Sequence, residues 1–102
     1  MKDIKSEVEE CKVQVLVCTN ERPPGKTCCF KCGGQDFYLA LKTRLKQEGL
    51  NNTHWATRTG CLGFCKDVGT TVAIHRKGEA SQWFNEVTAT DMDSIWQEIV
   101  RE

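Results

Sequence analysis

A chain of 102 residues, 39% hydrophobic and 27% charged, has the make-up of one globular domain and is too short for two. Its formal net charge of zero removes any bulk electrostatic case for nucleic acid or an anionic membrane surface. No apolar run approaches the roughly 20 residues of a membrane span, and the charged start lacks a signal peptide's apolar segment, so a cytoplasmic location is expected.

Residues 1–10 alternate acids and lysines with little apolar content, which predicts a charged N-terminal extension ahead of a domain over 11–102. Across 11–18, Val13, Val15 and Val17 alternate with Lys12, Gln14 and Leu16, the period-two pattern of a strand ending near Cys18. Glu21-Arg22-Pro23-Pro24-Gly25-Lys26 cannot continue it, because two prolines remove donors and a glycine invites a turn. Gly33-Gly34 predicts a tight turn into a helix that carries Asp36 in its first turn. Phe37, Leu41 and Leu45, with Tyr38 beside them, form the apolar stripe of that helix, and Gly49 stops it.

A short strand over 53–58 follows. Strand, helix and strand in this order imply a βαβ unit with parallel strands, whose carboxyl ends place Cys18 and Cys61 near one another. Segments 70–75 and 82–87 flank Arg76-Lys77-Gly78 and predict a hairpin with a loop longer than two residues. Thr90, with Asp93 three residues on, predicts the cap of a last helix whose Met92, Ile95, Trp96 and Ile99 share one face. The order β-α-β then β-β-α matches an α/β, thioredoxin-like sandwich.

Seven cysteines are the outlying count. An odd number without a leader argues against a disulfide framework, and in a reducing compartment such a cluster points to metal or redox chemistry. Thr59-Gly60-Cys61-Leu62-Gly63-Phe64-Cys65 is a compact loop able to aim two sulfurs at one point. It supplies half of a tetrathiolate site, and the other half falls within 18–32, where Cys18 is joined by one of Cys28, Cys29 and Cys32. Thiolates suit zinc or iron–sulfur centres, and a two-iron cluster accommodates unequal arms better than a single zinc ion does.

Val15-Leu16-Val17-Cys18, the Arg22-Pro23-Pro24-Gly25 loop, Cys29 and the Thr-Gly-Cys-x3-Cys run ending at Cys65 resemble the thioredoxin-like [2Fe-2S] ferredoxins. The resemblance runs from about residue 12 into the last helix, including Trp83-Phe84 ahead of Val87-Thr88. It implies an electron-transfer protein rather than an enzyme, with a [2Fe-2S] cluster in loops at one end of the sheet. By the resemblance the ligands map to Cys18, Cys29, Cys61 and Cys65. It further suggests redox partner proteins and a homodimer. The chain departs from the family in a loop about two residues shorter between Cys18 and Cys29, in the extra Cys28 and Cys32, and in Gly69-Thr70 where the family has Gly-Pro.

Two other readings compete. Cys29-Phe30-Lys31-Cys32 before a helix is a C-x2-C dithiol, the pattern of a thiol–disulfide oxidoreductase. A structural zinc module is the other. Against the dithiol, such enzymes have no use for Cys18, Cys61 and Cys65. Backbone N–H groups near Gly25, Gly33 and Gly63 can favour an anionic cluster, and Lys26, Lys31 and Lys66 are candidates to dock an acidic partner or simply solvated loop lysines. His54 and His75 are expected on strands at opposite ends of the fold, in structural roles. Trp55, Trp83 and Trp96 are expected in the core or an interface, and Cys11 as a small buried apolar residue.

Overall fold

The computed structural model describes residues 1–19, 33–60 and 69–101. Its elements are α1 (Lys5–Val8), β1 (Val13–Cys18), α2 (Gly34–Gln47), β2 (His54–Thr59), β3 (Thr70–Arg76), β4 (Gln82–Val87), a 3-10 turn (Ala89–Asp91) and α3 (Met92–Val100). The four strands form one sheet in the order β2-β1-β3-β4. β1 runs parallel to β2 and antiparallel to β3, and β3 pairs antiparallel with β4.

Alternation along β1 decides which face is the core. Val13, Val15 and Val17 are fully buried, whereas Gln14 and Leu16 between them stay partly exposed. The valines join Val72, Ile74 and Val87 of the sheet in a cluster with Phe37, Leu41 and Leu45 of α2 and Ile95, Trp96 and Ile99 of α3. Both long helices therefore cover the same face. They also meet directly: the Arg44 guanidinium lies 4.4 Å from the Trp96 ring centroid and 3.0 Å from Asp93. On the opposite face Trp83 is half exposed and stands edge-on to His75 at 6.3 Å.

α2 shows why its boundaries fall where they do. Gly33 precedes it at φ 95°, a conformation that favours glycine, and its carbonyl accepts from the Phe37 N–H. At the other end Gly49 adopts φ 73°, while the N–H groups of Gly49 and Leu50 bond to the carbonyls of Lys46 and Leu45. That pair of bonds is the Schellman closure, and it allows the chain to turn into β2.

The last helix begins differently from the sequence expectation. Thr88, not Thr90, is the cap. Its extended backbone leads into the 3-10 turn, and Asp91 Oδ2 accepts from the Thr88 N–H at 2.9 Å in a capping box. The same threonine–x–x–aspartate spacing occurs twice, and the additional 3-10 turn moves the start two residues towards the N-terminus. A second irregularity lies in β4. Thr70 pairs with Val87 but Val72 pairs with Phe84, so one extra residue sits in β4, and Glu86 adopts φ 55°.

Candidate metal centre

Cys18 ends β1 with 1% of its surface exposed, and its Cα is level with Thr59 of the parallel neighbour β2. The two strands stay joined to their last residues. The N–H and hydroxyl of Thr19 both donate to the Thr59 carbonyl, at 3.0 and 3.2 Å. β3 begins at this same end: the buried hydroxyl of Thr70 donates to the Cys18 carbonyl at 2.6 Å. Because β1 and β2 are parallel, α2 must run back between them, which sets its N-terminus at the end where both strands finish. The described residues that flank segments 20–32 and 61–68 are thus gathered at one end of the sheet.

Of the four expected ligands, Cys18 is described and sits at that end. Cys29, Cys61 and Cys65 lie outside the described residues, as do Cys28, Cys32, Gly25, Gly63, Lys26, Lys31 and Lys66. Among the described residues no group of three or more His, Cys, Asp or Glu side chains is placed to hold a metal ion.

Two supports of this end had no clear sequence signal. Gly69, at φ 70°, approaches β4 so closely that a Cβ there would lie 2.5 Å from the carbonyl carbon of Glu86. Glycine before a strand reads as a turn, and nothing local announces a backbone contact 17 residues away. Thr70 reads as an ordinary β-former, yet its hydroxyl binds the backbone of Cys18.

The histidines correct their expectation. His54 pairs with Val13 and His75 with Gln14, so both stand at the same end of the sheet, remote from Cys18. The reason is strand direction: the start of β2 and the end of antiparallel β3 both align with the start of β1. Burial, then the charges of Arg76 and Lys12, hold the His54 imidazole below its usual pKa, and its Nδ1 lies 2.8 Å from the Thr53 hydroxyl. Cys11 also differs. It is only half-buried, its Sγ donates to the Val13 carbonyl at 3.4 Å, and burial pushes its thiol pKa up. Trp96 belongs to the core, while Trp83 lies on the opposite face of the sheet.

Solved structures share this architecture. The wild-type thioredoxin-like [2Fe-2S] ferredoxin from Aquifex aeolicus superimposes with a TM-score of 0.72 and 27% identity, covering 86% of this chain and 84% of that one. Another structure of a thioredoxin-like [2Fe-2S] ferredoxin from that organism gives 0.73 and 26%, over 89% and 82% of the two chains. A cysteine-to-serine variant gives 0.72 and 26%, over 87% of each. No family model and no curated protein matches the chain. The resemblance read from the cysteine motifs and the thioredoxin-like fold expected from element order both hold.

Proposed function

We propose that this chain is a one-electron carrier whose [2Fe-2S] cluster is held by the thiolates of Cys18, Cys29, Cys61 and Cys65. One observation carries the reading: buried Cys18 stands level with Thr59, two residues ahead of Cys61, in a fold shared with thioredoxin-like [2Fe-2S] ferredoxins. Two residues of chain span at most about 7 Å, which supports pairing Cys18 with the Cys61 segment. The donor set fits the group, since four soft sulfurs from two segments suit an iron–sulfur centre. When bound, the cluster accepts and releases one electron.

The protein's own contribution is to position and tune. Among the described residues no side chain caps the N-terminus of α2, whose positive end favours an anionic centre. The Thr19 and Thr70 hydrogen bonds brace the backbone on both sides of Cys18. Residues 11–102 form the ferredoxin domain in this proposal, with 1–10 as an extension. Redox partner proteins dock at the cysteine end, and the resemblance to the ferredoxins supports a homodimer. The protein is not itself an enzyme, and it works in the cytoplasm. No helix among the described residues is long and apolar enough to cross a membrane.

The test is the purified protein's colour. Anaerobically prepared material is expected to be red-brown, to contain iron and acid-labile sulfide in equal amounts, and to bleach on one-electron reduction. A colourless protein carrying stoichiometric zinc and no sulfide would refute the proposal.

A further inference from the structure

The end of the sheet remote from Cys18 holds an open cavity of about 520 Å³ between α1, the start of β1 and the end of β3. That volume lies within the range of small-molecule sites. Four cationic side chains, Lys5, Lys12, Arg76 and Lys77, line it against a single carboxylate, Glu9. Glu79 lies 3.4 Å from Arg76 and offsets its charge, which leaves Lys5, Lys12 and Lys77 against Glu9, a local excess of two positive charges in a chain of zero formal net charge.

The four cations are not equivalent. Arg76 Nη2 donates to the carbonyls of Glu98 and Ile99 at 2.6 and 2.9 Å, closing the end of α3. Lys77 Nζ donates to the Glu9 carbonyl at 3.2 Å, which ties α1 to the hairpin. Lys5 and Lys12 are exposed, and neither side chain makes a hydrogen bond or ion pair with another described residue. Beside them the wall is apolar. Ile4 and Val8 of the α1 segment are 49% and 46% exposed, one helical turn apart, and both line the cavity. Two uncommitted ammonium groups next to an uncovered aliphatic wall fit one kind of ligand.

We propose that this cavity binds a small amphipathic anion, its acidic head between Lys5 and Lys12 and its apolar body against Ile4 and Val8. β1 separates the cavity from the cysteine end by six residues, about 20 Å of strand, so occupancy leaves the metal centre's visible spectrum unchanged. The proposal is therefore independent of the electron-carrier reading.

The probe is anilinonaphthalene sulfonate, titrated into the full chain, with decanoate as competitor and backbone-amide NMR to map the site. Saturable, decanoate-displaceable binding is expected, with amide shifts concentrated in residues 4–14 and 75–77. Lys5→Glu/Lys12→Glu is expected to weaken binding by about tenfold or more, and Val8→Asp to weaken it independently. All three substitutions are at exposed positions, and Lys46→Glu on α2 serves as the charge control that leaves binding unchanged. Equal affinity in the charge-reversed variant, or shifts centred on Trp83, overturns the proposal. So does cosedimentation with phosphatidylglycerol vesicles without saturable probe binding, which would assign the patch to a membrane surface. Failure to bind the probe, with these amides protected in a dimer, would assign it to a second copy.

Discussion

The hydroxyl of Thr70 donates to the carbonyl of Cys18 at 2.6 Å, inside a region where both residues are about 1% exposed. The bond joins the last residue of β1 to the first of β3, at the end of the sheet where the expected ligand segments begin. Thr70→Val keeps the shape and removes the donor, so a cost of about 1–2 kcal/mol in stability is expected. Thr70→Ser retains the hydroxyl and should recover most of it. Urea unfolding at constant m-value measures both, and an unaffected Thr70→Val midpoint would show that the bond contributes nothing.

Gly69 and Gly33 both adopt positive φ, at 70° and 95°, but among the described residues only Gly69 lies against other backbone. Gly33→Ala meets nothing within 4 Å among the described residues, and the left-handed backbone penalty, about 1–2 kcal/mol, is its expected cost. Gly69→Ala puts a methyl group 2.5 Å from the Glu86 carbonyl carbon and 2.6 Å from the Val87 oxygen. β4 must then move, so the loss is expected to be clearly larger and to disturb the Thr70–Val87 pairing. Unfolding midpoints together with amide exchange at Val87 check this, and equal losses in the two variants would contradict it.

Periodicity made most of the fold legible. Val13, Val15 and Val17 declare a strand and its buried face, the stripe from Phe37 to Leu45 declares a helix, and Gly49 declares its end. What stayed hidden depends on contacts that local sequence does not encode. Thr88 and Thr90 are each followed by aspartate three residues on, and the choice between them follows from the 3-10 turn. Glu86 carries no sign of its left-handed backbone, because the bulge arises from pairing with β3. The shared end of His54 and His75 depends on strand direction, which element order implies but residue pattern does not. For the metal centre, Cys18 at the end of a strand was legible, whereas the Thr70 and Gly69 supports come from strands far away in sequence.

His54 gives the fold a pH dependence of definite sign. Burial and the nearby charges of Arg76 and Lys12 disfavour its imidazolium, so its folded pKa lies below the ordinary value of 6.5. The unfolded chain binds this proton first as pH falls. Its contribution is therefore fully present above pH 6.5, is lost between 6.5 and the depressed folded pKa, and levels off below that. His54→Gln should flatten this part of the profile. Urea midpoints of both proteins on either side of pH 6.5 measure it, and an unchanged difference across that window would sink the assignment.

The cysteines provide the most direct test of the ligand set. Serine is a poor substitute for a soft thiolate, so Cys18→Ser, Cys61→Ser and Cys65→Ser are expected to lose the cluster or shift its visible spectrum strongly. Cys11 lies just before β1, at the end of the sheet remote from Cys18, and Cys11→Ser should leave the spectrum unchanged. The stretch holding Cys28, Cys29 and Cys32 is the discriminating case, since a cluster that already uses Cys18, Cys61 and Cys65 takes one more sulfur. In the proposed ligand set, the resemblance to the thioredoxin-like [2Fe-2S] ferredoxins, anchored on Gly33 and Tyr38, matches Cys29 to the family's ligand position and gives Cys28 no ligand role. Cys28→Ser should therefore be silent. Cys29→Ser should give a weakened, altered cluster if Cys32 substitutes, and Cys29→Ser/Cys32→Ser should then be far worse than either change alone. The spectra of these variants, read with iron and sulfide content, decide the matter. Loss of the cluster in Cys28→Ser with an intact cluster in Cys29→Ser would move the register by one residue and replace Cys29 with Cys28 in the ligand set.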